Sequence, residues 1–259
     1  MRGPRRRRAK SGDFLVTFTR RTGSGKNAKT EIATALLRVA ALPSWTRGSF
    51  NGAAFAADGE SAAGLASLSV TAAGRTSGKL VCEDGTTVPF SIPSLGVDGE
   101  GRYTARGKAK FGKKAWDVEV VIERRDFASA DGGTCGQGIA SIAATALNGR
   151  CVSASANVVQ NIWRSKEAKV PSFASVKGKA LATTISGVQG YDIVLSIAED
   201  GKTTAKARKS GSKKTVASAS SQLVLRDYVP GEGWTCELPL SIPKAGIAQV
   251  LEFRIEDAY

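Results

Sequence analysis

The second half of the chain repeats the first, and this internal repeat constrains the fold more than any other feature of the sequence. Leu68-Ser69-Val70 reappears as Leu195-Ser196-Ile197, and a glycine turn follows each triplet at the same distance. Near the ends of the two halves, Trp116–Glu123 is matched by Val250–Glu256. Self-similarity at a fixed spacing is the mark of a duplicated structural unit. We therefore expect two copies of one unit.

The repeated segments are short, alternate between apolar and polar residues, and are separated by turn signals. Val118, Val120 and Ile122, for example, share one face of a predicted strand, with acidic residues among the exposed positions. Connections such as Asp84-Gly85 are too short for parallel crossovers and favour antiparallel pairing. The predicted fold class is all-β: two repeated antiparallel meander units that form β-barrels or sandwiches, or one joint barrel, with one short helix between them.

The repeat and the turn signals divide the chain into five parts. These are a disordered basic tail at 1–10, a partial β-unit at 11–43, repeat unit 1 at 44–125, a connector at 126–172 and repeat unit 2 at 173–259. In the connector, Val158, Val159 and Ile162 recur at helical spacing, with basic residues opposite. This spacing predicts a short helix at 156–168. Residues 30–41 fit either a strand or a helix, and we favour the strand.

The formal net charge of +14 is unevenly spread along the chain. Residues 1–10 contain six basic side chains and no acidic one. Such a segment either attracts phosphate through sequence-independent, salt-sensitive contacts or is a disordered tail without a partner, and we favour the tail. Lysine-rich hairpins such as Lys206–Lys214 lack the interleaved aromatic residues that single-strand binding uses. We expect nucleic-acid contact to be limited to non-specific contact by the tail.

The cysteines leave two interpretations open. There are four, at positions 82, 135, 151 and 236, and none belongs to a C-x-x-C pair, so the sequence indicates neither a zinc knuckle nor a redox motif. Cys135 and Cys151 flank a short segment of small residues, and a hairpin there would allow a disulfide between them. Buried free thiols are the alternative.

The absence of histidine from the sequence excludes the most common catalytic chemistries. Without it, Ser-His and Cys-His activation and the usual zinc sites are not available. Asp117 and Glu119 share a strand face and could imitate a glycosidase pair, but a solvated strand edge explains them better. Asp98 and Glu100 lie in a turn that lacks the ligand series of a calcium loop. We predict no enzyme, and no catalytic, cofactor-binding or metal-binding residue.

Turn and strand-edge residues along the chain resemble those of a known family. They are Ala40-Ala41-Leu42-Pro43-Ser44-Trp45, Gly48-Ser49-Phe50-Asn51-Gly52, Gly74 with Ser77-Gly78-Lys79, Asn161-Ile162-Trp163 and Lys177-Gly178-Lys179. The chain is similar, over roughly residues 32–259, to Ig-like β-repeat modules of large predicted bacterial surface or secreted proteins. The resemblance implies that residues 11–43 end a preceding module and that this chain is the C-terminal part of a longer protein. It implies no catalytic residue.

We therefore expect a non-catalytic β-repeat scaffold module at the cell surface or outside the cell, with neighbouring modules of a longer chain as its partners. A cytoplasmic location is the alternative, because no apolar signal segment follows the charged start. A second hypothesis is a glycan- or protein-binding β-module, with Trp45, Trp116 and Trp234 as exposed ligand-contact aromatics. A third is a nucleic-acid-associated basic protein. No stretch approaches the roughly 18–20 apolar residues of a membrane helix, so we expect no transmembrane segment.

Overall fold

The computed structural model describes residues 12–23, 28–56, 59–81, 87–111, 114–128, 132–146, 154–163 and 181–256. In these residues the chain consists of antiparallel strands and two 3₁₀ turns, at Ser44–Thr46 and Pro243–Ala245. The predicted all-β class is therefore confirmed. The chain separates into two compact units, 1–43 and 44–259.

The first unit contains an antiparallel hairpin. β1 (Gly12–Thr22) pairs with β2 (Lys29–Val39) over its whole length, and the ladder ends with Thr22 opposite Lys29. Both strands are rich in threonine and in β-branched or aromatic residues, which favour extended backbone. The strand that we favoured for residues 30–41 is confirmed.

The second unit begins with nine strands. They are β3 (Gly48–Phe55), β4 (Ala62–Val70), β5 (Thr76–Val81), β6 (Thr87–Ile92), β7 (Gly96–Val97), β8 (Tyr103–Phe111), β9 (Lys114–Ala128), β10 (Thr134–Ala146) and β11 (Ala154–Gln160). They form one sheet in the order β6-β5-β4-β3-β11-β10-β9-β8-β7. Strands β6 and β8 lie side by side although no ladder joins them, and a Cβ on Gly107 would lie 3.0 Å from the Ile92 side chain. The sheet is thus curled towards a barrel.

The remaining strands form two smaller sheets. The first has four strands in chain order, β12 (Leu181–Val188), β13 (Tyr191–Ile197), β14 (Lys202–Lys209) and β15 (Thr215–Gln222). The second has three, β16 (Val224–Val229), β17 (Gly233–Ile242) and β18 (Ile247–Ile255). The chain leaves the first sheet at Leu223, whose amide donates to the Gly201 carbonyl at 2.8 Å. The segment Thr215–Leu225 is therefore divided between the two sheets.

The duplication appears in the structure as a four-strand meander followed by a three-strand meander, built twice. Strands β3–β6 and β7–β9 make the first copy, and β12–β15 and β16–β18 make the second. The equivalent ladders keep their register: Ile122 pairs with Tyr103 in β8–β9, and Ile255 pairs with Trp234 in β17–β18. In both copies the last strand of the four-strand meander lies beside the central strand of the three-strand meander.

The turn after the repeated triplet has the same geometry in both copies. Gly74 and Gly201 have φ angles of 78° and 75°, in the left-handed region that favours glycine. Each glycine amide donates three residues back, to the Thr71 carbonyl at 2.9 Å and to the Ala198 carbonyl at 2.9 Å. The repeated glycines are therefore conformational requirements of one hairpin type.

The predicted connector at 126–172 contains strands in its described part. The helix predicted at 156–168 is wrong there, because β11 covers Ala154–Gln160, and residues 164–168 lie outside the described residues. Val158 and Val159 are both fully buried, so β11 carries apolar side chains on both faces. A strand buried on both faces loses its alternation and reads like a helix. The β10–β11 hairpin joins β9 to β3 and completes the first sheet.

The second half has a core of its own, to which the first sheet contributes. Phe127 and Cys135, at adjoining ends of β9 and β10, belong to the buried cluster around Leu195, Leu238 and Trp234. The rings of Phe127 and Trp234 meet edge to face, with centroids 5.3 Å apart. Such aromatic contacts add to the stabilisation from buried apolar area. The two halves therefore share a core within the unit 44–259.

Candidate ligand-binding surface

Two of the three tryptophans predicted as exposed ligand contacts are core residues. Trp116 is fully buried and Trp234 is 1% exposed. Trp116 alternates with Asp117 along β9 and points inward, while Trp234 packs against Phe127 and Tyr228. The prediction is therefore wrong for both, because the inward face of each strand needs large apolar side chains to fill the core.

Trp45 lies in the 3₁₀ turn before β3 and is half-buried. Its ring makes an edge-on contact with Tyr103, with centroids 5.3 Å apart and planes at 85°. Its carbonyl also lies where a Cβ on Gly138 would have to fit, at 2.1 Å. Trp45 thus has a packing role, and its ligand role stays a prediction.

The cysteine pair is only partly within the described residues. Cys135 is buried in the core of the second half, and Cys151 lies outside the described residues, so the disulfide stays a prediction. Cys236 is 1% exposed in the same core. Burial raises the pKa of the Cys236 thiol to about 12, because the thiolate would lose its hydration. A neutral buried thiol of this kind is unreactive.

Two of the carboxylates that could have imitated a catalytic or calcium site, Glu119 and Asp98, are neutralised locally. Glu119 forms an ion pair with Arg106 at 2.6 Å. Partial desolvation alone would raise the pKa of Asp98, but hydrogen bonds from the Arg102 guanidinium and from two backbone amides outweigh it, so the pKa of Asp98 is lowered. In the described part of the chain, no group of three or more potential ligand side chains is positioned to hold a metal ion.

The outer face of the first four-strand meander carries an uninterrupted row of hydroxyl groups. Ser49 is opposite Ser69, Ser69 is opposite Ser77, and Ser77 is opposite Ser91, across β3, β4, β5 and β6. Neighbouring strands are about 4.8 Å apart, so the hydroxyls repeat at that interval. Arg75 ends the row and donates to the Ser91 hydroxyl from Nε and Nη2, at 3.2 and 3.1 Å.

A second polar row runs beside the first and leads to the second half. Asn51 is opposite Ser67, and Ser67 is opposite Lys79. The two rows line a cavity of about 500 Å³. Asn51, Ser67 and Lys79 also line a cavity of about 300 Å³ whose other wall contains Lys202 and Ser221. We call these two adjoining cavities the polar groove.

The electrostatic character of the polar groove is positive. Lys79 and Lys202 are exposed, and none of the described residues that line the two cavities is acidic. The phenylalanines at its floor, Phe50 and Phe90, are buried and offer no ring face for stacking. The groove therefore suits a ligand that accepts many hydrogen bonds and carries negative charge.

Sequence reasoning did not find the polar groove. The signal is present in part, since Ser67 and Ser69 alternate with the core residue Leu68. The pairing of Ser69 with Ser77 and of Lys79 with Ser67 depends on strand register, and the approach of Lys202 depends on how the two halves pack. Neither can be read from spacing along the chain.

Comparison of the sequence with protein-family models, curated proteins and solved structures found no match. None of the helices in the described ranges has the length and hydropathy needed to cross a bilayer.

Proposed function

We propose that this protein is a non-catalytic β-repeat scaffold module of a bacterial surface or secreted protein. One observation carries the proposal: two copies of the same strand layout are joined through a buried junction in one compact unit. Repeated modules joined in this way form quasi-linear assemblies in which each repeat contacts its neighbours. The aromatic residues with the largest side chains serve the cores of these modules.

The junction has polar as well as apolar contacts, which supports a fixed spacing between modules. The fully buried Gln137 donates from Nε2 to the Gln160 carbonyl at 3.0 Å and to the Leu225 carbonyl at 2.9 Å. Trp163 donates from its indole nitrogen to the Leu223 carbonyl at 2.7 Å. Buried hydrogen bonds hold a single relative placement, because leaving such donors unpaired is costly.

The surface location is tested by antibody labelling of the producing cells. Antibodies raised against the folded protein should label intact cells as strongly as permeabilised ones, and protease added outside the cells should remove the signal. A cytoplasmic protein serves as the matched control. Labelling that appears only after permeabilisation would overturn the surface assignment.

A second candidate function is supported by the polar groove. We propose that the groove binds an acidic glycan, through the serine hydroxyls and the two lysines Lys79 and Lys202. Hydroxyl rows can exchange hydrogen bonds with sugar hydroxyls, and the lysines favour carboxylate or sulfate groups. None of the described residues that line the groove exposes an aromatic ring, which disfavours neutral sugars, since these are commonly held by stacking.

This function is tested on an array of acidic and neutral oligosaccharides. Acidic glycans should bind, and Lys79→Ala and Lys202→Ala should each weaken binding, while Lys244→Ala, an exposed lysine in the second 3₁₀ turn, should not. Binding should also fall as the salt concentration rises. Equal loss in all three variants would indicate non-specific attraction and refute the site.

A further inference from the structure

Among the described residues the two halves of the protein differ: a hairpin completes the first half, and no described strand takes the equivalent place in the second half. We propose that the β1–β2 hairpin of one copy of this protein docks between β12 and β18 of a second copy. It would complete the second half there, as the β10–β11 hairpin completes the first half within the chain. The inference does not depend on the location of the protein or on the ligand of the polar groove.

The β10–β11 hairpin completes the first half by joining its two meanders. In the first half, β10 pairs with β9, the last strand of the three-strand meander, and β11 pairs with β3, the first strand of the four-strand meander. The hairpin thus joins the two meanders into one sheet. Its inward residues, Ala140, Ile142, Ala156 and Val158 among them, are at most 1% exposed.

The equivalent edges of the second half have no such partner among the described residues. Within the described ranges, β18 pairs only with β17, and β12 pairs only with β13. β18 also touches β4 of the first half, but forms no ladder with it. We call β12 and β18 the acceptor edges. Unpaired edges of this kind are templates for the addition of a strand.

The burial of equivalent residues agrees with two missing strands. Val120 and Ile122 of β9 are fully buried, whereas their equivalents Phe253 and Ile255 of β18 are only half-buried. In β3 Phe50 is fully buried, while the described side chains of β12 are exposed or half-buried throughout. The apolar face of the second half is therefore incomplete on the side that β10–β11 covers in the first.

The β1–β2 hairpin has the matching apolar face and leaves it exposed. Phe14, Val16 and Phe18 of β1 share one face and alternate with Leu15, Thr17 and Thr19 on the other. Their β2 partners include Ala35 opposite Val16 and Ala33 opposite Phe18. Phe18 is 60% exposed. Large residues facing alanines repeat the pattern of β10–β11, where Ile142 is opposite Ala156. Exposed apolar surface of this kind marks an interaction site.

The order of the chain indicates which copy receives the hairpin. The β10–β11 hairpin precedes the second half and completes the first, so a hairpin completes the module before it. By the same rule, β1–β2 precedes the first half and completes a module that ends in β18. A second copy of this chain supplies that module. Hairpin and acceptor edges are different surfaces, so the contact is head to tail and extends to chains of copies or closes into a ring.

The test uses the full-length protein in sedimentation-velocity runs over a range of concentrations. The wild type should associate with concentration into dimers and larger species. Phe18→Asp, on the apolar face, should weaken association by roughly tenfold or more. Leu15→Asp is the matched control, because Leu15 lies on the same strand, points to the opposite face and is 72% exposed. It should associate like the wild type.

Hydrogen exchange provides a second measurement that does not depend on a variant. Backbone amides of β12 and β18 should exchange more slowly at concentrations where the protein associates, while those of β4 and β5 should not change. A wild type that stays monomeric at every concentration would overturn the proposal, whether or not its β12 and β18 amides are protected. Equal loss of association in Phe18→Asp and Leu15→Asp would also overturn it, since it would indicate unspecific apolar contact. Neither result bears on the surface labelling.

Discussion

Substitution of Gly201 by alanine should damage the second half far more than substitution of another turn glycine. Gly201 is buried beneath Trp163, and a Cβ added to it would lie 2.2 Å from the indole nitrogen and 2.6 Å from Nε2 of Gln222. Gly211 has nearly the same backbone, with φ of 79° against 75°, but no heavy atom lies within 4 Å of its added Cβ. The pair separates the backbone penalty from the packing penalty.

The size of the effect follows from three contributions. Alanine in the left-handed region costs about 1–2 kcal/mol, and both variants carry this penalty. In Gly201→Ala, overpacking against the Trp163 ring adds about 1–3 kcal/mol. If the ring moves, its hydrogen bond to the Leu223 carbonyl is lost, and a buried unpaired donor costs about 1–3 kcal/mol more. We expect a loss of about 4 kcal/mol for Gly201→Ala and about 1 kcal/mol for Gly211→Ala.

Thermal unfolding followed by tryptophan fluorescence measures the difference. A domain of this size loses about 2–4 °C of Tm per kcal/mol, which predicts a fall of about 12 °C for Gly201→Ala and about 3 °C for Gly211→Ala. Equal shifts in the two variants would refute the packing of Trp163 on Gly201. Equal shifts would also contradict one of the contacts by which the two halves are joined.

Three further predictions concern the core and the neutralised carboxylate. Trp116→Ala should lower the free energy of unfolding, measured in urea, by about 3–5 kcal/mol. Trp45→Ala, at a half-buried residue, should lower it clearly less, and the reverse order would contradict the core position of Trp116. Cys236 should resist alkylation in the native protein at pH 8 and react once the protein is unfolded, and rapid labelling of the native protein would argue against its burial. Because burial raises the pKa of the Cys236 thiol from 9.0 to about 12, the contribution of this thiol to stability should be complete below pH 9 and decline above it. Arg102→Ala should raise the lowered pKa of Asp98 towards its ordinary value in an NMR titration, and an unchanged pKa would show that the guanidinium has no part in the shift.

Local patterns predicted the strands well. Thr87–Ile92 and Tyr191–Ile197 carry apolar residues at every second position in the sequence, and they form β6 and β13, because alternation and flanking turns are properties of neighbouring residues. The helix prediction at 156–168 failed in its described part for the opposite reason. Its apolar spacing reflects burial of both faces of β11, which pairs with β3 on one side and β10 on the other, and this burial depends on residues far away in the chain.

The candidate site was less predictable than the fold. Trp116 and Trp234 were predicted to be exposed ligand contacts because they are aromatic, but both are buried in the structure. The polar groove depends on serines that carry no distinctive local signal, since a single serine on the outer face of a strand is ordinary. Only the register that places Ser49, Ser69 and Ser77 side by side makes a row of them.

The sequence by itself determined the duplication, the strands and the turns. These depend on the alternation of side chains and on glycines such as Gly74 and Gly201, whose backbone angles few other residues adopt. The tertiary structure alone decided that β11 joins β3, that β6 lies beside β8, and that β12 and β18 keep unpaired edges among the described residues. The physical reason is that the edges of every strand offer the same backbone donors and acceptors. Partners between distant strands are therefore chosen by how whole faces pack, which is not a property of any local segment.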